Sequence, residues 1–142
     1  MSEALELAKV KLTDSGATCV ILKGDHIYTS AQRGVAPLLN WLDTGMDFTG
    51  YCAADKVVGN GAAFLYALLN VQELYAHILS RPAAETLQRY GISYTYGTLV
   101  DHIRNRSGTG LCPIEESVAG ETVATDALKK IRAKLAQLQA NH

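Results

Sequence analysis

The chain contains 142 residues, 48% of them hydrophobic and 19% charged, and its formal net charge is −1. These values are typical of a globular protein and argue against general binding to nucleic acids or acidic membranes. The length predicts a single domain over residues 1–142. The three cysteines include no CxxC pair and the N-terminus has no signal-peptide pattern, so we expect a reduced cytoplasmic protein. The longest nearly uncharged run, residues 57–71, is too short and too polar to span a bilayer.

The first part of the chain predicts a helix, a hairpin and a second helix. Residues 2–14 carry apolar side chains at helical spacing, and Ser2 supplies a cap. Two apolar runs, 17–22 and 26–29, flank a Lys-Gly-Asp turn and predict a β-hairpin. Residues 35–43 predict a short helix with a proline near its first turn.

Strands and helices alternate in the middle of the chain. Residues 50–54 predict a buried strand, and residues 56–69 predict a helix that is apolar on most sides and therefore packs centrally. Residues 71–79 predict the next strand. Ser80 is expected to cap a helix that ends near Gly91, since proline follows in its first turn. A further strand is expected directly after that glycine.

The last part of the chain predicts two helices around a polar loop. Residues 98–101 match a capping box for a short helix, and residues 104–113 predict a glycine-containing loop. Residues 121–139 predict a helix whose apolar stripe suits either packing on the same domain or a coiled-coil seam. The order of elements predicts an α/β fold, a three-layer α-β-α sandwich with a mixed sheet.

The junction after the strand at residues 50–54 is the first candidate site. We expect Asp55 and Lys56 to end this strand, and Gly59 and Gly61 to lie in the first turns of the next helix. Two helical glycines each cost about 1 kcal/mol relative to alanine, so another backbone or a ligand should approach closely there. Asp55 is then either a helix cap or, with Lys56, part of a ligand crevice. Free amides at this helix start would favour an anion such as phosphate.

The polar loop is the second candidate site. Arg104, Asn105 and Arg106 precede a run of glycines and hydroxyl residues that ends at Cys112. Arginines bind phosphate or carboxylate in bidentate fashion, and glycine-rich backbone can wrap an anion. A helix is expected to begin after Cys112, and a thiol near a helix N-terminus and arginine would carry more thiolate. The alternative is a flexible surface loop with an unreactive thiol.

The remaining polar residues give weaker signals. No histidine lies at a metal-ligand spacing from a cysteine or another histidine, so we expect no metal site and no cofactor. His102, placed on the predicted short helix, could approach Cys112 as a base. Cys19 and Cys52 fall in predicted strands and are expected to be inert core thiols. The Glu115 and Glu116 pair is more typical of a helix start than of catalysis.

The order of elements resembles the cytidine-deaminase-like fold. Active members of that fold carry a zinc ligand and a glutamate at the start of one core helix and two cysteine ligands at the start of the next. The corresponding places here hold Asp-Lys-Val-Val-Gly at residues 55–59 and Ser-Arg-Pro-Ala-Ala-Glu at residues 80–85. The histidine, its glutamate and both cysteines are absent from these places. The resemblance therefore implies the fold but not a zinc-dependent deaminase.

Several short sequence motifs resemble those of one uncharacterised bacterial and archaeal family, the domain-of-unknown-function 1893 family. They are Ala-Asp-Lys-Val-Val-Gly at 54–59, Ala62-Ala63, Ser80, Gly91-Ile92, Asn105-Arg106 and Cys-Pro-Ile-Glu at 112–115. The resemblance covers residues 3–118, and Asn60-Gly61 departs from the Lys-Ala expected there. It implies a deaminase-like pocket without zinc and brings no established activity.

Three functions remain open on this sequence. The first is binding of a small anionic or nucleotide-like ligand by Asp55, Lys56, Gly59, Gly61 and, from the polar loop, Arg104, Asn105, Arg106 and Cys112. The second is a zinc-independent enzyme with Cys112 as nucleophile and Lys56, Asp55 or His102 as proton carrier. The third is an interaction module that forms a homodimer through residues 121–139.

Overall fold

The computed structural model describes residues 2–105 and 107–140. The strands are β1 (Cys19–Lys23), β2 (His26–Ser30), β3 (Cys52–Val58), β4 (Glu73–Ser80) and β5 (Ser93–Val100). The helices are α1 (Glu3–Ser15), α2 (Ala36–Asp43), α3 (Asn60–Leu68), α4 (Arg81–Arg89), α5 (Pro113–Ser117) and α6 (Ala124–Ala140). Within these two described stretches, no helix combines the length and the apolar character that crossing a membrane requires.

The five strands form a mixed sheet in the order β2-β1-β3-β4-β5. β1 runs antiparallel to both β2 and β3, whereas β3, β4 and β5 run parallel to one another. The hairpin predicted at the start of the chain is confirmed as β1 and β2. Parallel neighbours need a crossover connection, and α3 and α4 supply it between β3, β4 and β5. The predicted α/β fold with a mixed sheet is thereby confirmed.

Helix α1 covers one face of the sheet. Its buried Ala8 packs in a cluster with Val20 of β1 and Ala54 of β3. The cap predicted for this helix is confirmed, because the Ser2 hydroxyl accepts a hydrogen bond from the Leu5 amide at 3.1 Å. The short apolar stripe of α1 therefore suffices to form the first of three layers.

The other helices cover the opposite face, and α3 lies at their centre. Phe64, Leu65 and Tyr66 of this helix are fully buried. Helices α2, α4, α5 and α6 all contact α3. The prediction of a central helix is confirmed, since a helix that is apolar on most sides must be surrounded by other elements. The start of α3 is consequently shielded by neighbouring segments.

The short helix predicted at residues 98–101 is wrong. Strand β5 continues to Val100, with Thr98 opposite Ile78 and Val100 opposite Ser80 of β4. The parallel ladder supplies backbone partners along this whole segment, and this tertiary pairing outweighs the local capping pattern. His102 therefore follows a strand and lies on no helix.

Helix α6 packs against the same chain. Ala124, Ala127 and Ile131 are buried in the main core, and Leu128 and Leu135 pack against it. The Tyr90 hydroxyl accepts a hydrogen bond from the Ala124 amide at 2.8 Å and so caps the helix start. Of the two alternatives for residues 121–139, the structure favours packing on the same chain.

Candidate functional site

Two cavities adjoin at the carboxyl end of β3. We call the first the Cys112 cavity, of about 340 Å³, which Cys112, Gly59, Arg104 and Glu115 help to line. We call the second the Asp55 cavity, of about 280 Å³, which Asp55, Lys56, Cys19 and Thr18 help to line. Both cavities are also lined by Arg33, Gly34 and Val57. The two predicted sites therefore lie side by side and meet at a common wall, in separate cavities.

Asp55 lies inside β3 and not at its end, which corrects the predicted boundary between strand and helix. The strand continues through Val57 and Val58, because both pair with β4. The residue that caps α3 is Gly59, so Asp55 is not a helix cap. Instead, Asp55 lies opposite Cys19 of the antiparallel β1. Lys56 is exposed and lines the Asp55 cavity.

The start of α3 is capped by Glu115, a residue distant in sequence. Its carboxylate oxygens accept hydrogen bonds from the Asn60 amide at 2.7 Å and from the Gly61 amide at 3.1 Å. Burial raises the pKa of Glu115, and these two amides and the charge of His102 act in the opposite direction. The prediction of free amides for a phosphate is thus wrong at these two positions, because a carboxylate of the chain already binds them.

The glycines before and in α3 do permit a close approach, as predicted. A Cβ atom at Gly61 would lie 2.6 Å from the Cγ2 atom of Ile114, and a Cβ at Gly59 would overlap the Glu115 carboxylate. Such distances are too short for a real side chain. The element that approaches is α5 of the same chain. The glycines are therefore explained by the seating of α5 on α3, and Gly61 lines neither cavity.

The polar loop folds back on itself and carries Cys112 to the site. Arg104 and Leu111 form an isolated antiparallel bridge, and the Cys112 amide donates to the Ile103 carbonyl at 3.0 Å. Cys112 directly precedes α5, which confirms the predicted helix start, and its side chain is half-buried. His102 lines a different cavity, with Arg81 and Arg104. The approach of His102 to Cys112 as a base therefore stays a prediction.

Asn105 organises the loop from within. Its Oδ1 atom accepts hydrogen bonds from the Thr109 amide and the Ser107 hydroxyl, both at 3.1 Å. Asn105 lines neither cavity. Arg106, the other predicted ligand-binding residue of this loop, lies outside the described residues.

A chain of buried hydrogen bonds lies behind the Asp55 cavity. The Tyr66 hydroxyl of α3 donates to Oδ2 of Asp55 at 2.6 Å, and it lies 3.0 Å from the Cys19 sulfur. Burial raises the pKa of Asp55 to about 7, although the Tyr66 hydroxyl and the amides of Val57 and Lys56 lower it. Burial also raises the pKa of the Cys19 thiol and of Tyr66. A carboxyl group that titrates near neutrality is thus held against a cavity.

Three basic side chains surround the two cavities. Arg33 comes from the segment between β2 and α2, Lys56 from β3 and Arg104 from the polar loop, and all three are exposed. Among residues 2–105 and 107–140, none of the three forms a salt bridge. Arg33 is a residue that sequence reasoning missed. Its only local signal is its place beside Gly34, whose φ of 70° requires a glycine-like backbone.

Metal-binding residues are not clustered in the described part of the chain. Across its two described stretches, no group of three or more histidine, cysteine, aspartate or glutamate side chains is placed to hold a metal ion. The starts of α3 and α4, where the deaminase-like resemblance would put zinc ligands, carry Gly59-Asn60 and Ser80-Arg81. Ser80 instead caps α4, as predicted, by accepting from the Ala83 amide at 3.2 Å.

Comparison with known proteins identifies related sequences and folds. The sequence profile of the family described as "TM1506: Domain of unknown function (DUF1893)" matches residues 7–135. A crystal structure of a DUF1893 family protein, TM1506 from Thermotoga maritima, superposes with a TM-score of 0.84 at 22% identity, covering 96% of this chain and 92% of that one. A search of the curated proteins finds no match.

A second solved structure is much less similar. It is a diaminohydroxyphosphoribosylaminopyrimidine deaminase/5-amino-6-(5-phosphoribosylamino)uracil reductase from Thermotoga maritima. Its TM-score is 0.41 at 14% identity, and the match covers 81% of this chain and 38% of that one. A similarity at this level shows nothing about the function of this chain.

Proposed function

We propose that this chain, which belongs to the DUF1893 family, binds a small anionic ligand of the nucleotide-like class in its two adjoining cavities. The observation that carries the proposal is the convergence of Arg33, Lys56 and Arg104 around these cavities, with no salt bridge for any of the three among the described residues. Exposed basic groups that face a concave surface attract anions and bind phosphate or carboxylate oxygens directly.

The size and lining of the cavities support this class of ligand. The volumes of about 340 and 280 Å³ suit a small molecule more than a macromolecule. Arg33 lines both cavities, so a ligand that occupies both would contact this side chain. Val57 and Gly34 provide apolar and backbone surface at the shared wall. A ligand with its phosphate near Arg33 and an uncharged ring or sugar in the adjoining cavity would match this lining.

Glu115 sets a boundary for the ligand. Its carboxylate lines the Cys112 cavity and already binds the two amides at the start of α3. A second anion at those amides would lie against this carboxylate and would be repelled. We therefore place the negative group of the ligand at the Arg33 side of the shared wall, away from α3. Binding in this way requires no zinc ion, since the starts of α3 and α4 present no imidazole or thiolate.

A thermal-shift experiment tests the proposal directly. Adenosine monophosphate and ribose 5-phosphate should raise the melting temperature, whereas adenosine and ribose should raise it much less, because they lack the charged group. The variants Arg33→Gln and Arg104→Gln should each weaken the stabilisation. Arg89→Gln is the matched control, since Arg89 is exposed at the end of α4 and lines neither cavity. Equal shifts in all three variants would refute the proposed site.

A catalytic role for Cys112 is the second candidate function. The half-buried thiol lines its cavity together with Arg104, so an electrophilic ligand in that cavity would lie beside it. The measurement is the alkylation rate of Cys112 with iodoacetamide, followed by peptide mapping, against a free thiol at the same pH. Cys19 and Cys52 are buried internal controls. A rate for Cys112 no faster than that of the free thiol would exclude a nucleophilic role.

A further inference from the structure

The buried hydrogen-bond chain behind the Asp55 cavity has no part in the anion binding described above. It joins three elements, since Cys19 lies on β1, Tyr66 on α3 and Asp55 on β3. The Tyr66 hydroxyl contacts both other groups, at 2.6 Å from Asp55 and 3.0 Å from the Cys19 sulfur. Cys19 and Asp55 also line the Asp55 cavity. This hydrogen-bond chain therefore links the cavity wall to fully buried groups in the core.

Only one member of this chain changes its charge near neutral pH. Burial raises the pKa of Asp55 to about 7, whereas it places the pKa values of Cys19 and Tyr66 well above their usual ranges. Two basic residues line the same cavity as Asp55: Arg33, from the segment before α2, and Lys56, the next residue of β3. Both side chains are exposed.

The buried hydrogen-bond chain accommodates both the ionised and the neutral form of Asp55. When the carboxyl group is ionised, the Tyr66 hydroxyl donates to it and the Cys19 thiol can donate to the Tyr66 oxygen. When the carboxyl group is neutral, its proton can lie on the other oxygen, Oδ1, while the Tyr66 hydroxyl still donates to Oδ2 and the Cys19 thiol to the Tyr66 oxygen. Neither state leaves a buried donor or acceptor of this chain without a partner. The free-energy cost of ionising or neutralising the carboxyl group therefore falls on Asp55 alone.

We propose that an anion binds in the Asp55 cavity with Asp55 protonated, so that binding takes up a proton wherever Asp55 is otherwise ionised. This inference rests on the proposed function, because it concerns an anion held by Arg33 and Lys56. An ionised carboxylate beside the bound anion would repel it, whereas a neutral carboxyl removes the repulsion and offers a hydrogen-bond donor. The proton comes from solvent and adds to a carboxylate oxygen, and no bond of the ligand is broken. The favoured ligands are oxyanions that accept a hydrogen bond.

The test is calorimetric titration with inorganic sulfate, whose own charge is constant over the range from about pH 5 to about pH 9. At the alkaline end, repeating the titration in two buffers of different ionisation enthalpy should show uptake of close to one proton per sulfate. The association constant should be level below the pKa of Asp55, about 7, and fall about tenfold for each pH unit above it.

Two variants assign the proton to Asp55. Asp55→Asn carries no titratable group, so its sulfate affinity should be independent of pH and its proton uptake should be zero. Tyr66→Phe removes the hydrogen bond that lowers the pKa of Asp55, so the fall in affinity should move to higher pH. Circular dichroism of both variants checks that they are folded. The shift in Tyr66→Phe would not arise from a merely structural loss, which lowers affinity equally at every pH.

The outcomes separate this inference from the proposed function. Sulfate binding that Arg33→Gln abolishes, but that is level with pH in the wild-type protein, would overturn the proton coupling and leave the anion site intact. A pH dependence that persists in Asp55→Asn would also overturn it, since another group would then take up the proton. An absence of sulfate binding at every pH would overturn both the coupling and the anion site.

Discussion

The Glu115 carboxylate joins α5 to the start of α3 through two amides, at 2.7 and 3.1 Å. Glutamine has one acceptor oxygen and no charge, so Glu115→Gln loses one of these hydrogen bonds and the favourable interaction with the helix dipole. We expect it to lower the free energy of unfolding by about 1–3 kcal/mol, measured by urea denaturation. Glu116→Gln, on the exposed neighbour, is the control and should change stability little. Equal effects would contradict this role of Glu115.

Gly61 offers a test in which the sign of the effect is informative. In an ordinary helix, replacing glycine by alanine stabilises by about 1 kcal/mol. At Gly61 the added Cβ would lie 2.6 Å from Ile114, so Gly61→Ala should instead destabilise by about 1–3 kcal/mol. Gly110→Ala is the matched control, because its Cβ would meet nothing closer than the Asn105 side chain at 3.9 Å. A more stable Gly61→Ala variant would show that α5 does not press on α3.

Asp55 should make the protein less stable as the pH rises through the acidic range. Its folded pKa of about 7 lies above the unfolded value, so the folded state binds more protons between these values and stability declines with rising pH. The part of the decline due to Asp55 should reach up to about 4 kcal/mol at neutrality and should be absent in Asp55→Asn, which keeps the part due to Glu115, whose pKa burial also raises. The measurement is urea denaturation at several pH values. Asp25→Asn, in an exposed turn, should keep the decline of the wild-type protein.

The residues of the site were only partly predictable from the sequence. Asp55, Lys56, Arg104 and Cys112 stand out by their neighbours along the chain, and the structure brings them to adjoining cavities. Arg33 has only its place beside Gly34 as a local signal. Cys19 and Tyr66 have none, because what distinguishes them is contact between a strand and a helix. Cys19 in particular was expected to be an inert core thiol, and it is buried, but it also lines the Asp55 cavity.

At the level of elements, helix α6 provides a direct test of how its apolar stripe is used. Ile131 is fully buried, whereas Leu138 near the end of the helix is only half-buried. We expect Ile131→Ala to lower the free energy of unfolding by about 2–4 kcal/mol and to leave the molecular mass in solution unchanged. Leu138→Ala should cost much less. If Leu138→Ala instead reduced the mass, the stripe would serve the homodimer considered from the sequence.

The ends of strands and helices are set by pairing with distant strands where this pairing disagrees with the local sequence signal. The sequence places the end of β3 at Asp55-Lys56, but pairing with β4 extends the strand to Val58 and moves the helix start to Asn60. Likewise, β5 continues to Val100 and so includes the first three residues of the capping pattern at 98–101. Types and order of elements follow from apolar periodicity, whereas their ends depend on backbone partners that are distant in sequence.

Across the whole molecule, the site is formed by segments that are far apart in sequence. Arg33 precedes α2, Lys56 belongs to β3, and Arg104 lies beyond β5 in the loop that α5 anchors through Glu115. The mixed sheet brings these segments to the carboxyl end of β3, a common place for ligands in α/β folds. The anion binding that we propose there would therefore be a property of the assembled fold and not of one sequence motif.

We propose that an anion binds between the Asp55 and Cys112 cavities, and backbone NMR of the isotopically labelled protein tests this most directly. Titration with adenosine monophosphate should shift the amide signals of Arg33, Gly34 and Val57, which line both cavities, and adenosine should shift them far less. That result would place the charged group at the shared wall. Shifts confined to other surfaces, or equal shifts with adenosine, would contradict the account.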